Sequence, residues 1–441
     1  MKRALILLSF LLPVSLVFLS CGSSPSTSSS GSGLKFRAFI SQDINAGSLG
    51  VQIIDAAKDV RANVAPISAG AQPGLMVVTP NRVQTLVFSA ADSKLTLISN
   101  AGEGASAQIT LPGFTESFVV SPDSLTAYVA VPTAPVVSQS PGVVEAINLN
   151  TGGITAGISC PPAGQIPPVC VSLPPLSAGL NLPYRFLSIS HSGTRLLAFS
   201  DNSNVVAVIT PSNIGTINPV VTFVDGFDRP VTAFFSGDDN TAFVVNCGAE
   251  CGGTQASVQT LNLAPNSPVA GVPVDVPAAS FATLSGTTMY LAGTPVPASP
   301  CTGQTTAATS CGLVTVFDLT SMTVTKSGII ITDGYHNRMA LGANGQLFIG
   351  AHSCTEIIPA IPPPPDAEVR GCLSIYNTLT DAVVIPPANG DVTGIEPISN
   401  RHVVYLAQGG ELQIYDTTTD KLQPTQIDIS GEVIDVKTVD F

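Results

Sequence analysis

Five short connections, GFTE (113–116), LPYR (182–185), GFDR (226–229), GYHNR (334–338) and GDVT (390–393), carry residue types suited to ligand chemistry. They supply Glu116, Tyr184, Arg185, Phe227, Arg229, Tyr335, His336, Arg338 and Asp391, and each leads into an apolar run. Only 11% of the chain is charged, so arginines at 185, 229 and 338 beside His336 stand out. Guanidinium groups gathered at one opening would hold an anionic or sugar-like ligand. The same side chains would equally serve as loop polarity or in ion pairs, Asp228 with a neighbouring arginine for example. Both readings stay open at this level.

Catalytic signatures are absent from the sequence. It contains no GxSxG elbow, no HExxH, no GxxxxGK[ST] and no GxGxxG opening a helix. No cofactor is expected, and no metal site. His191, Asp238 and Asp239 fall in turn-like phrases, SHSG and SGDD, where hairpin geometry accounts for them. A calcium site at Asp238, Asp239 and Asn240 fits no recognised loop spacing.

Beyond Cys21 the cysteines form sequence neighbours: Cys160 and Cys170, Cys247 and Cys251, Cys301 and Cys311, Cys354 and Cys372. Short intervals make local closure entropically cheap. There is no CxxC, and the histidines at 191, 336, 352 and 402 are scattered, so four local disulfides in an oxidising compartment are favoured over metal ligation.

The elements that must position these residues are strands. SPDSLTAYVAV (121–131) returns as SGDDNTAFVVN (236–246), a turn followed by an apolar run, and related phrases begin near 74, 116, 185, 231, 279, 338 and 393. Each is followed by a second, a third and a more ragged fourth strand-like run, bounded by Gly, Pro, Asn, Asp and Ser. Four strands per unit predict an all-β, single β-propeller, because one four-stranded sheet cannot bury both faces alone whereas radially stacked sheets cover one another. At SPDSLTAYVAV and GVQIIDAAKD (50–59) the chain resembles the YVTN-type β-propeller repeat family, a resemblance that implies the fold and little about function. Seven complete units run from 74 to about 430. The runs at 35–68 supply three strands, and GEVIDVKTVDF (431–441) supplies the missing innermost one. Eight blades are therefore expected, with seven as the alternative, closed by pairing the N-terminal strands with the C-terminal strand.

The chain opens MKR and continues with an apolar run to Ser20, the pattern of a secretory signal peptide. Cys21, ahead of GSSPSTSSSGSG, makes this opening similar to a bacterial lipoprotein lipobox. That resemblance implies cleavage after residue 20, lipidation of Cys21 and, with Gly22 next, an outer-membrane address. The expected organisation is signal peptide 1–20, lipidated cysteine and Gly/Ser tether 21–33, and propeller 34–441. The formal net charge of −13 becomes more negative once Lys2 and Arg3 leave with the signal. An acidic body excludes nucleic acid as a partner, since phosphate backbones need clustered Lys and Arg.

Long insertions at 132–142, 160–183, 247–256, 294–312 and 352–372 fall on one face of the expected ring, so all four disulfides would stiffen that side. The expected function is a non-catalytic envelope lipoprotein, a binding or scaffold propeller for a protein or glycan. The alternative is a lactonase-like hydrolase at the channel mouth, for which His336 is the histidine expected to be best placed.

Overall fold

The computed structural model describes residues 31–43, 50–135, 141–156, 183–214, 221–264, 267–297, 311–355 and 371–440. Eight antiparallel sheets succeed one another along the chain. Blade 1 spans 73–110, blade 2 117–156, blade 3 184–224, blade 4 230–275, blade 5 281–331, blade 6 335–384 and blade 7 392–422. Blade 8 is built from both ends of the chain: Arg37–Asp43, Gln52–Asp55 and Val60–Arg61 from one, Glu432–Thr438 from the other. The chain is an eight-bladed all-β propeller. Among the described residues the helical content is two short 3-10 turns, Pro211–Asn213 and Gly248–Cys251.

The recurring Ser-Pro-Asp phrase has a hydrogen-bonding cause. Ser121 Oγ donates to Asp123 Oδ1 at 2.5 Å and accepts from the Thr126 N–H at 3.0 Å, while Asp123 Oδ1 accepts from the Leu125 N–H at 3.0 Å. Two short polar side chains thus saturate the backbone of the turn between the first and second strands. Thr79 with Asn81, Ser190 with Ser192, and Ser236 with Asp238 occupy the same places in blades 1, 3 and 4. The wording drifts between blades because only the oxygen acceptors matter. The turn between strands three and four has its own rule. Asp55, Asn148, Asn262, Asp318, Asn377 and Asp416 each end a third strand and accept the N–H two residues on.

Each sheet is apolar on both faces, and the core is accordingly divided. Eight clusters of buried side chains occur, each shared by two neighbouring blades, so that every interface of the ring has its own. At the interface of blades 6 and 7, for instance, Phe348 meets Tyr415 edge to face with centroids 5.1 Å apart. The outer strand of blade 4 is broken: Val269–Ala270 and Val274–Asp275 both pair with Ser257–Asn262, with Pro273, which has no N–H to give, in the gap.

The expected closure is present. Arg37–Asp43 pairs antiparallel with Glu432–Thr438, Ala38 opposite Thr438 and Ile40 opposite Val436. Val433 and Val436 pack toward blade 7, and Val439 toward blade 1. The described chain therefore enters and leaves on the face that carries the Ser-Pro-Asp turns.

One buried acid makes this packing sensitive to pH. Glu145, fully enclosed on the third strand of blade 2, has its carboxyl pushed up to about 7 by burial. A raised carboxyl favours the protonated folded state, so this stabilisation is complete below the ordinary value of 4.5 and is lost as pH rises through about 7. The shift corresponds to about 3 kcal/mol at ~1.4 kcal/mol per unit. Denaturant unfolding is expected to show lower stability at pH 8 than at pH 5, and Glu145→Gln is expected to remove most of that slope. Equal slopes in both proteins would contradict the assignment.

Candidate functional site

The first strand of each blade lines the ring axis, and a repeated irregularity decides which side chains it shows there. In six blades the pairing of the first and second strands slips near the start of the first strand. The residues inserted are Gly74 with Leu75, Arg185, Val231, Asn337, Thr393 and Ile434. Every one of them lines a cavity of about 750 Å³ at the axis. The residue before each slip, Pro73, Tyr184, Pro230, His336, Val392 and Val433, is buried, and of these Pro73 alone also borders the cavity. A β-bulge re-aims the side chains that follow it, and this wall is made of bulges.

Glycine brings the chain into several of these strands. Gly334 and Gly390 sit at φ +100° and +87°, and a Cβ on Gly334 would stand 2.5 Å from the His352 carbonyl oxygen. Neither the left-handed backbone nor the space admits a side chain there.

Around the mouth, Phe114, Phe186, Phe281 and Tyr335 supply aromatic surface, with Phe88 edge-on to Phe114 at 5.7 Å. Phe114 and Tyr335 are each about two-fifths exposed, at 42% and 41%. Arg185 lies over the Phe186 ring at 5.3 Å, and its Nε and Nη1 donate to Glu116 and to Asp201, the latter at 2.6 Å. These two carboxylates raise the guanidinium further above its ordinary range against the opposing effect of burial. Burial also raises the Tyr335 phenol, while Arg185, reaching from the other side of the mouth, pulls it down.

Arg338 is held differently. Its Nε donates to the Thr393 carbonyl at 2.8 Å and its Nη1 to the Asn337 carbonyl at 2.9 Å. Among the described residues no carboxylate pairs with it. Beside it His352 lines the cavity, its Nδ1 3.2 Å from Asp391 Oδ2, while Asp391 Oδ1 accepts from the Ser353 N–H at 2.7 Å.

Of the residues expected at this opening, Glu116, Arg185, Tyr335 and Arg338 line the cavity, and Asp391 stands one step behind it, steering His352. Three do not. His336 is 1% exposed, donates from Nε2 to the Thr332 carbonyl at 3.0 Å, and is held neutral by burial, which lowers it to about 4. Tyr184 is buried between blades 2 and 3, its phenol raised by burial. Both precede a bulge, which counting along a regular strand does not register. Arg229 is drawn aside to the turn at 247–252, where its Nη2 donates to the Gly252 carbonyl at 3.2 Å. Phe227 packs in the core shared by blades 3 and 4. Sequence reasoning missed His352, Asn337 and Phe281. The signal for His352 was its place at the end of a second strand, two residues before the cysteine of a long insertion.

Disulfides Cys247–Cys251 and Cys354–Cys372 are formed, with Cα atoms 5.6 and 5.5 Å apart. Both follow second strands and so flank the mouth on one face. Cys311 is disulfide-bonded, but its expected partner Cys301 lies outside the described residues, as do Cys160 with Cys170 and the signal region with Cys21. Among the described residues no group of three His, Cys, Asp or Glu is placed to hold a metal ion. His191 Nδ1 lies 3.0 Å from Asp239 Oδ1 on the opposite face, where Asp239 also accepts from the His191 and Ser192 N–H groups and ties the turns of blades 3 and 4.

No protein-family model matches the chain, and no curated protein does. Solved structures do. The dihydro-heme d1 dehydrogenase NirN in complex with DHE aligns with TM-score 0.59 and 13% identity over 92% of this chain and 75% of its own. A functionally unknown protein from Desulfotomaculum acetoxidans aligns with TM-score 0.49 and 17% identity over 79% and 94%. The periplasmic gluconolactonase PpgL of Pseudomonas aeruginosa gives 0.46 and 13% over 91% and 98%. At such identities the likeness is one of fold.

Proposed function

We propose that the protein is a non-catalytic binding propeller of the bacterial envelope, exported, anchored through a lipidated Cys21, and engaging an envelope glycan at the mouth of its axial cavity. The observation that carries this reading is the cavity itself. At about 750 Å³ it has the size of a small-ligand site, and it is rimmed by half-exposed aromatic rings with polar side chains such as Glu116, Arg185, Asn337 and Arg338 set among them. Flat rings set among hydrogen-bonding groups suit the apolar faces of sugars. The two described disulfides support an oxidising compartment.

The described chain begins on the turn face, opposite the mouth, which supports an attachment that leaves the cavity free. A protein partner, the other candidate, would press on the long insertions rather than enter the cavity.

The test is retention of the full-length protein on immobilised envelope polysaccharide, compared with a Phe114→Ala/Tyr335→Ala variant. Retention of the parent and at least tenfold loss in the variant are expected. Equal retention of both, or turnover of lactone or ester substrates that the double substitution abolishes, would overturn the proposal.

A further inference from the structure

We propose that the cavity recognises an acidic sugar, with Arg338 receiving the carboxylate of a uronic-acid ring and Asn337 a neighbouring hydroxyl. This inference rests on the glycan reading above and adds the charge of the ligand.

The argument begins with charge balance along the wall. Arg185 is neutralised twice, by Glu116 and by Asp201, and His352 has Asp391 beside it. Arg338 lines the same cavity with two backbone carbonyls as its hydrogen-bond partners and no carboxylate among the described residues. The two carbonyls fix the guanidinium plane through Nε and Nη1, which leaves Nη2 and the second Nη1 hydrogen for a ligand. A fixed guanidinium with free N–H groups matches a carboxylate better than a hydroxyl, because both oxygens can be met at once. Among the described residues this cation is left without a carboxylate partner although the chain has 30 acidic against 17 basic residues.

The second observation is independent of charge. Asn337 is the inserted residue of its bulge, lines the cavity, and has a buried Oδ1 that accepts no hydrogen bond among the described residues. A buried acceptor without a donor costs free energy until something supplies one. An acceptor next to a cation calls for a ligand that offers a hydroxyl next to an anion. Uronic acids carry that pair on one ring, and Phe114 and Tyr335 provide flat surface for the rest of it.

The experiment is titration calorimetry of the full-length protein in detergent with trigalacturonic acid and with the neutral trisaccharide cellotriose. The acid is expected to bind at least tenfold more tightly than the neutral sugar. That preference should shrink severalfold between 20 and 200 mM salt, a reading that needs no variant. Arg338→Gln is expected to remove the preference, and Arg338→Lys to restore part of it. Equal affinity for the two sugars in the unaltered protein would overturn the acidic inference and leave the glycan reading standing. Unchanged preference in a folded Arg338→Gln would also overturn it, and binding of neither sugar would overturn both.

Discussion

Removal of residues 431–441 is expected to abolish cooperative folding, seen as loss of a single calorimetric transition and as rapid proteolysis under native conditions. The deleted segment is the innermost strand of blade 8 and the only one that blade takes from the C-terminal end. Val433, Val436 and Val439 are each at most 2% exposed, and burying such side chains contributes about 1.5–3 kcal/mol apiece. Their sum rivals the whole net stability of a typical domain, about 5–15 kcal/mol. The loss extends beyond apolar area. Asp435, also buried, accepts from the Met76 N–H at 2.9 Å and binds Lys437 Nζ at 3.2 Å, so its removal strips blade 1 of a bond across the seam. A truncated protein that still unfolds in one sharp transition within a few degrees of the parent would show that the ring is not clasped this way.

Arg37→Ala is expected to cost about 3–5 kcal/mol in denaturant unfolding, the usual penalty for leaving enclosed carboxylates without their cation. Arg37 holds the seam from the turn face. Its Nε and Nη2 grip Asp440 at 2.7 and 2.6 Å, its backbone N–H donates to the same carboxylate at 2.8 Å, and its Nη1 reaches Glu103 at 2.8 Å and the Asn100 carbonyl at 2.6 Å. First strand, last residues and blade 1 thus meet on a single side chain that is only 9% exposed. Without it, Glu103 and Asp440 face each other across the space. A double-mutant cycle with Asp440→Asn should give a coupling of more than about 1 kcal/mol, since residues in one network do not act additively. A single substitution costing less than about 1 kcal/mol would rule out the clamp.

The sequence revealed the ring more clearly than the site, for physical reasons that particular residues show. Strand positions follow from apolar runs and turn chemistry, and both are local: Ser121, Asp123 and Thr126 act within six residues. Closure was legible because GEVIDVKTVDF repeats the opening phrase of a blade, and a repeat needs no knowledge of distance. Neighbouring disulfides at 247–251 and 354–372 followed from short intervals. The site depended instead on phase. A regular strand alternates its side chains, and the connections GYHNR and LPYR offered Tyr, His and Arg with no mark of where alternation breaks. The bulge after His336 sends Asn337 and Arg338 together into the cavity and leaves the histidine inside. His352 entered from a different strand altogether, brought there by pairing Tyr335 opposite it.

The seam also sets a timetable for biogenesis. Blades 1 to 7 can form in order as the chain emerges, but blade 8 has to wait for its final strand, so Arg37–Asp43 spends the interval as an uncovered edge. At ribosomal rates of about 5–20 residues per second, an open arc persists for tens of seconds before the last segment is free. An exposed edge strand of this kind is a template for mispairing with other chains. Efficient production therefore calls for a holding chaperone until the last strand arrives, and yield on overexpression should be governed by what happens before the circle shuts rather than by the strength of the finished fold.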